Sequence, residues 1–292
     1  MAVLDLYQAE TFLDSLPDLP SLSKAAQEVV RSIAGGKDNF TAIARVVDSD
    51  PVLAAGVLKV ANSAYYARST PVGSISTAIA RLGMDEVRAL VCTAALLREF
   101  QGAGKSIDLD DFWRHSLSTA VACHVIVHPG LPASGSLLGD NPFYLCGLMH
   151  HLGILLEAIH RPVEFAQARL LAHERGCGME QAEREIFGFG HSESGAALLR
   201  RWKSPGMVVD AALYHLAPES CPGDRRPAQV VHLAGMLCHE LGANSYEGVA
   251  PWVSEESFLK LGWDIDKLPA LQERVRLAIE NAQQLLGALT AA

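Results

Sequence analysis

Eleven histidines is a high count for a chain of 292 residues, and five of them could do chemistry. His115, His150, His151, His191 and His215 each fall in or at the end of a predicted helix. A neutral imidazole is a metal ligand and, near neutral pH, a general acid or base. No pair of these histidines has a local metal spacing such as HExxH, so spacing alone does not assemble a centre. Histidines scattered in this way are more often satisfied core or surface residues than ligands. The doublet His150-His151, in LCGLMHHLGILLEA, is the most informative feature of the chain. Two weaker candidates accompany it. Asn62, Ser63, Tyr65 and Tyr66 in ANSAYY form a polar group at a helix end, where such residues cap and turn; they are expected to pin that end to the next lobe. Ser192 and Ser194 stand beside His191 as nucleophile candidates, but Ser192 reads better as part of a helix start with Glu193 in its first turn. No GxSxG elbow, P-loop or GxGxxG turn is present, and Trp113 and Trp202 read as core aromatics.

The elements that must position these residues are helices. Ile43, Val46 and Val47 lie on one face, and Asp50-Pro51 reads as an N-cap followed by proline at the first helical position. Leu53, Val57, Leu58 and Ala61 continue the next helix. Ile75, Ala78, Ile79 and Leu82 mark a short one that Gly83 stops. Asp85 is expected to cap the following helix, with Val87, Leu90, Val91, Ala94 and Leu97 facing inward. A polar break at 101–108 precedes a helix around Phe112, Trp113 and His115. A long loop is expected over 128–142, then helices near 143–151, 162–176, 179–187, 191–202 and 205–216, then a loop over 217–227. Leu271, Val275, Ala278, Ile279, Ala282, Leu285 and Leu286 form one stripe of a tail helix, which is expected to pack within the chain. Strand alternation is absent. The expected fold is all-α, a multi-helical array with an N-terminal helical lobe over 1–105, a second lobe over 106–250 and a C-terminal helical extension over 251–292.

Hydrophobic residues make up 49% of the chain and charged residues 20%, a globular composition. The net charge of −9, from 33 acidic and 24 basic residues, argues against a broad nucleic-acid surface. Arg200, Arg201 and Lys203 make a local basic cluster that reads as a solvated helix face. The six cysteines show no CxxC spacing and are expected to be buried reduced thiols. The acidic N-terminus does not read as a signal peptide. No apolar run approaches the roughly 20 residues that span a bilayer, so a cytoplasmic protein without membrane contact is expected.

The chain resembles the HDOD (HD-related output domain) family over most of its length. The resemblance rests on DPVLAAGVLKVANSAYY followed by SISTAIARLG, and then on FWRHSLSTA, LMHHLGIL, AEREIFGFGHSESGAALLRRW and ALYHLAPE in that order. It implies that the second lobe is a degenerate HD-type domain. Against the pattern of catalytic HD phosphohydrolases, His115 matches the first histidine, and the His-Asp doublet becomes His150-His151. His191 and His215 match two histidines of some subgroups. Ile154 stands where a lysine commonly follows in HDxGK, and Gly235, in VVHLAGML, stands where an HLAD-type segment supplies a final aspartate. Two carboxylates and one cation are thus missing from a single site. Hard divalent ions need anionic oxygen ligands, and phosphoester hydrolysis needs their bound water.

The resemblance therefore implies an inactive site with no catalytic residue, no cofactor and no metal. His115, His150, His151, His191 and His215 remain residual ligand candidates for zinc, nickel or iron, which suit imidazole better than magnesium or manganese. The favoured alternative is a hydrogen-bonded histidine cluster that keeps inherited helix packing in register. The function implied is a non-catalytic bacterial signal-transduction module that binds signalling proteins of two-component or cyclic-dinucleotide pathways. The 128–142 loop or the groove between the lobes would be its contact surface. A metal-dependent HD-type phosphohydrolase or phosphodiesterase acting on a nucleotide stays open as the alternative, and a nucleotide sensor without cleavage as a third reading.

Overall fold

Short helices separated by caps and glycines run through the whole of the computed structural model, which describes residues 6–35, 40–63, 66, 71–130, 142–243 and 255–290. Among the described residues there are sixteen α-helices and three short 3-10 turns, and no strand. The first six helices are α1 (Leu6–Asp14), α2 (Lys24–Gly35), α3 (Phe40–Asp48), α4 (Pro51–Ala61), α5 (Ile75–Leu82) and α6 (Met84–Glu99). Asp50 caps α4 as expected, accepting from the N–H groups of Val52 and Leu53, and Arg98 holds its carboxylate at 3.1 Å. Gly83 ends α5 with φ +94°, a left-handed value that favours glycine. The same Gly83 also opens α6, so Asp85 is not the cap; it sits in the first turn and pairs with Arg88.

The second lobe is built on α7 (Leu109–Val127), whose side chains are buried nearly all round. Around it follow α8 (Pro142–Met149), α9 (Leu152–His160), α10 (Pro162–Arg175), α11 (Met179–Phe187), α12 (His191–Arg201), α13 (Gly206–Tyr214) and α14 (Arg226–Glu240). The chain ends in α15 (Glu255–Lys260) and α16 (Leu268–Thr290). Helices α8, α14 and α16 pack directly on α7. The tail helix is therefore part of the core, with Leu271, Val275, Ala278, Ile279 and Ala282 buried; the Leu285 side chain lies outside the described residues. Arg274 of α16 donates to the carbonyls of His128 and Pro129, satisfying the C-terminal end of α7.

The polar break at 101–108 contains a 3-10 turn over Gln101–Lys105. Residues 131–141, most of the expected 128–142 loop, lie outside the described residues. The helix expected over 143–151 is α8, which ends at Met149, and after the break at His150-His151 comes a helix the sequence reading did not expect, α9. The stretch Pro142–His160 holds an 18-residue window long and apolar enough to cross a membrane (mean hydropathy 1.3), more than the sequence reading allowed, but 83% of that window is buried inside the protein. Helix α1 packs on α12 of the second lobe, not on its sequence neighbours: Phe12 meets Phe189 at 5.2 Å, Glu10 pairs with Arg200 at 3.4 Å, and Asp14 pairs with Arg201. Two cations of the basic cluster thus face acids of α1. Five cysteines are buried and Cys177 is half-buried, and all six are free thiols.

Candidate functional site

Four places in the chain deliver the five histidines to one point. His115 comes from the second turn of α7, the doublet from the break between α8 and α9, His191 from the first residue of α12, and His215 from the residue that closes α13. All five are buried, none more than 4% exposed. His151 is the hub. Its ring centroid lies 3.7 Å from His150, 5.1 Å from His115, 5.0 Å from His191 and 5.2 Å from His215. His150 and His215 meet edge-on at 5.1 Å, and His191 and His215 lie 5.4 Å apart.

The tautomers follow from the hydrogen bonds. Nδ1–H of His115 donates to the Ala243 carbonyl at 2.9 Å, that of His150 to Gly147 at 2.7 Å, and that of His215 to Ala212 at 2.8 Å. A carbonyl only accepts, so each proton is on Nδ1 and each lone pair on Nε2. Nε2 of His115 lies 3.3 Å from the Thr119 hydroxyl. His191 is fixed differently: its Nδ1 and its backbone N–H both meet the Glu183 carboxylate, at 2.7 and 2.8 Å. A carboxylate behind an imidazole orients the ring and strengthens the lone pair of the opposite nitrogen.

Glu183 is fully buried and neighbours a second buried acid, Glu157. Burial first, and then the charge of Glu183, push the Glu157 carboxyl well above the usual carboxylate range, against the opposing pull of the Ser194 hydroxyl at 2.8 Å. Burial also opposes the Glu180 charge, but His191, Arg184 and the Ser192 hydroxyl outweigh it and hold this carboxylate below its ordinary value. Arg184 ties Glu180 (2.6 Å) to Glu193 (2.7 Å), and Glu193 accepts from the Gly190 N–H at the start of α12. Ser192 is part of the helix start and donates to Glu180, and Ser194 donates to Glu157. The sequence reading missed Glu157, Glu180 and Glu183. An acid inside the apolar run LGILLEAIH was the available signal for Glu157.

Glycines set the close approach of the helices. A Cβ on Gly147 would lie 2.7 Å from Thr119 O and Ala120 Cα of α7. A Cβ on Gly153 would lie 2.0 Å from His191 O and 2.8 Å from Gly195 N of α12. The doublet is therefore held between α7 and α12 by two backbone-to-backbone contacts, one on each side. Ile154, at the lysine position of the HD pattern, is fully buried in the core. Gly235 lies one turn beyond His232 on α14, and His232 Nδ1 donates to the His215 carbonyl at 2.6 Å. The missing final aspartate would thus have stood on the helix face that approaches the cluster.

The ANSAYY group does a structural job within its own lobe. The Asn62 amide donates to Val72 O at 2.9 Å and accepts from Val72 N at 2.7 Å, closing the segment that leads to α5. This clamp lies within the first lobe; Tyr66 bonds Glu86 of α6, and Tyr65 lies outside the described residues. Trp113 is buried, and half-buried Trp202 donates to Pro20 O at 2.8 Å. A groove of about 490 Å³, lined by Tyr7, Phe12, Arg161, Phe187 and Phe189 among others, shares no residue with the histidine cluster.

The donor set decides which ion the cluster fits. Neutral nitrogens suit zinc, nickel, cobalt or iron(II), with His115, His150, His151, His191 and His215 as the residues that would hold it. They do not suit the oxygen-seeking magnesium, calcium or manganese ions.

Comparison with known proteins agrees with this architecture. A protein of Geobacter sulfurreducens, an HDOD domain protein with unknown function, is 24% identical and superposes with a TM-score of 0.75 over 98% of both chains. A protein of Shewanella amazonensis SB2B described as a phosphohydrolase is 24% identical, with a TM-score of 0.70 over 96% of this chain and 97% of its own. One of Marinobacter aquaeolei VT8 described as a signal transduction protein is 23% identical, with a TM-score of 0.78 over 98% of this chain and 65% of its own. At these identities the likeness establishes the fold. An uncharacterized protein of Treponema pallidum (strain Nichols) is 26% identical over 246 residues, which are 82% of this chain and 46% of that protein. The chain thus spans about half the length of that relative. The HDOD domain profile matches residues 19–218, more than half of the sequence, and the chain belongs to the HDOD family.

Proposed function

We propose that this chain is a signal-transduction module that acts by association with other signalling proteins and not by hydrolysis. The observation that carries this reading is the chemistry of the buried centre. A hydrolytic HD site uses carboxylates to hold hard ions and a cation to steady a phosphate; this one has His151, Gly235 and Ile154 at those positions. A bound ion could supply Lewis acidity and an activated water to a substrate that reached it. The five rings are at most 4% exposed, which among the described residues supports a closed site over one open to a nucleotide phosphate. The signalling partners are of the two-component or cyclic-dinucleotide class, in line with the family resemblance.

The test is a turnover screen of the untagged chain loaded in turn with magnesium, manganese, iron(II) and zinc. The substrates are bis(p-nitrophenyl) phosphate, cyclic di-nucleotides and nucleoside triphosphates. The expected result is no turnover above a His150→Ala control with any ion. Turnover that His150→Ala abolishes would refute the reading and establish the phosphodiesterase alternative.

A further inference from the structure

Helix α1 has two outward stripes of different character. Glu10 and Asp14 meet Arg200 and Arg201 of α12, so the charges of one stripe are matched within the chain. The other stripe, Tyr7, Thr11 and Ser15, recurs every four residues, is exposed and carries no charge. It lines the groove of about 490 Å³ together with Arg161 and Glu164 at the start of α10. The base of the groove is aromatic. Gly188, with φ +83°, turns the chain between α11 and α12, and the phenylalanines on either side of it stack at 5.7 Å. Buried Phe189 also meets buried Phe12 at 5.2 Å. At the rim stands Tyr7, 78% exposed and the most exposed large hydrophobic side chain among the described residues. One face thus carries both a protruding aromatic ring and a groove based on aromatic rings.

A knob beside a hole is self-complementary under a two-fold axis, because the knob of each copy enters the hole of the other. We propose that this face is the interface of a homodimer, with Tyr7 of each copy seated in the aromatic groove of its partner. Charge selects a second copy of this chain as the occupant. The net charge of −9 opposes self-association over most of the surface. Arg161 and Glu164 are the charged residues that line the groove, and their charges cancel. They stand 3.6 Å apart with 47% and 38% of their side chains exposed, a loose pair able to exchange partners across the axis. Arg161 of one copy then meets Glu164 of the other, and the reverse pair forms by symmetry. Val163, on the same turn and 67% exposed, adds apolar surface beside them. A phosphate-bearing ligand would instead meet the Glu164 carboxylate beside the single cation of the groove. The dimer goes beyond the signalling reading and stands whether or not the chain hydrolyses a phosphoester.

The test is sedimentation velocity on the untagged chain from about 1 to 300 μM, with a monomer–dimer equilibrium of Kd below about 100 μM expected. Tyr7→Ala should weaken the dimer about 100-fold, tenfold for each of the two rings that it removes. Val52→Ala, which trims a side chain 60% exposed on α4, should leave the dimer unchanged. The charge pair gives the sharper test. Arg161→Glu leaves each groove with two acids, and Glu164→Arg leaves each with two bases. Either variant alone should therefore be monomeric at concentrations where wild type is dimeric. An equimolar mixture of the two should dimerise, because every acidic groove then faces a basic one. Only folded chains can do this, so the mixture guards against variants that merely misfold. A wild-type chain still monomeric at about 300 μM would leave the groove to a different protein and overturn the proposal. A dimer that Tyr7→Ala leaves intact, or charge variants that dimerise alone or fail to dimerise when mixed, would put the contact elsewhere and overturn it equally.

Discussion

Gly153→Ala and Gly56→Ala are the same substitution on two buried or half-buried helix faces, and the structure gives them opposite signs. At Gly153 the new methyl would sit 2.0 Å from His191 O, 2.5 Å from Ser194 Oγ and 2.8 Å from Gly195 N. An ordinary contact begins near 3.4 Å, so α9 and α12 must part by about 1.4 Å. Two of the three atoms are backbone and cannot rotate away. Overpacking costs about 1–3 kcal/mol, with the upper end applying where the neighbours are rigid, and alanine's better helix propensity offsets up to about 1 kcal/mol. The expected net loss is about 2 kcal/mol. At Gly56 the methyl would meet Ala94 Cβ and Leu289 Cδ2 at 3.7 Å, both in ordinary contact. Only propensity changes there, and the expected gain is about 0.5–1 kcal/mol. Urea unfolding followed by far-ultraviolet circular dichroism measures both. At roughly 2–4 °C per kcal/mol, thermal midpoints should move down by several degrees for Gly153→Ala and up by a few for Gly56→Ala. A Gly153→Ala chain as stable as wild type would refute the claim that backbone contact at this glycine sets the position of the doublet.

Two other consequences are open to measurement. Asn62→Ala removes the paired bonds to Val72, whose side chain is buried, and should lower the unfolding free energy by about 1–3 kcal/mol; an unchanged denaturation midpoint would deny the clamp its role. Glu157→Gln tests the protonated acid. Burial and the neighbouring Glu183 raise the folded carboxyl above its unfolded value of 4.5, so the folded chain keeps a proton that the unfolded chain has released. That contribution to stability is complete below about pH 4.5 and is lost as pH rises toward the raised folded value, with a slope of at most about 1.4 kcal/mol per pH unit. Glutamine does not titrate and can still accept from Ser194. Its stability relative to wild type should therefore climb from pH 5 to pH 8, and a difference that stays flat across that range would count against a protonated Glu157.

Much of the helical framework was legible because it is written in local chemistry. Asp50-Pro51 caps α4, Gly83 carries the positive φ that stops α5, and the apolar stripe from Leu271 to Ala282 faces the core. What escaped was set by packing between distant segments. Asp85 has the composition of a cap, but Gly83 already supplies the turn, and Asp85 slides into the first turn of α6. The continuous apolar run Pro142–His160 has no periodicity to mark its break, because almost every face of it is buried. Helix α1 gives no hint in its own sequence that Phe12, Glu10 and Asp14 will find Phe189, Arg200 and Arg201 some 180 residues away.

The candidate site shows the same division, with a consequence for how the centre must work. The five histidines were legible as a set only through their order along the family pattern, since nothing in their spacing brings residue 115 to residue 215. The acids were not legible as partners of the cluster: Glu180 lies outside the family runs, and Glu183 lies within AEREIFGFGHSESGAALLRRW with nothing in its spacing to mark it as the partner of His191. Their placement moves the negative charge of the site from the ligand positions to the far side of one ligand. A carboxylate on the ion itself would fix a hard cation and help to charge its water. The carboxylate behind His191 Nδ1 would leave the ligands of any bound ion neutral and strengthen one nitrogen donor instead. On the association reading proposed above, restoring Asp at position 151 alone would not rebuild a hydrolytic centre. Gly235 still leaves the α14 side without an anion, and Ile154 still occupies the phosphate position with a buried alkyl chain.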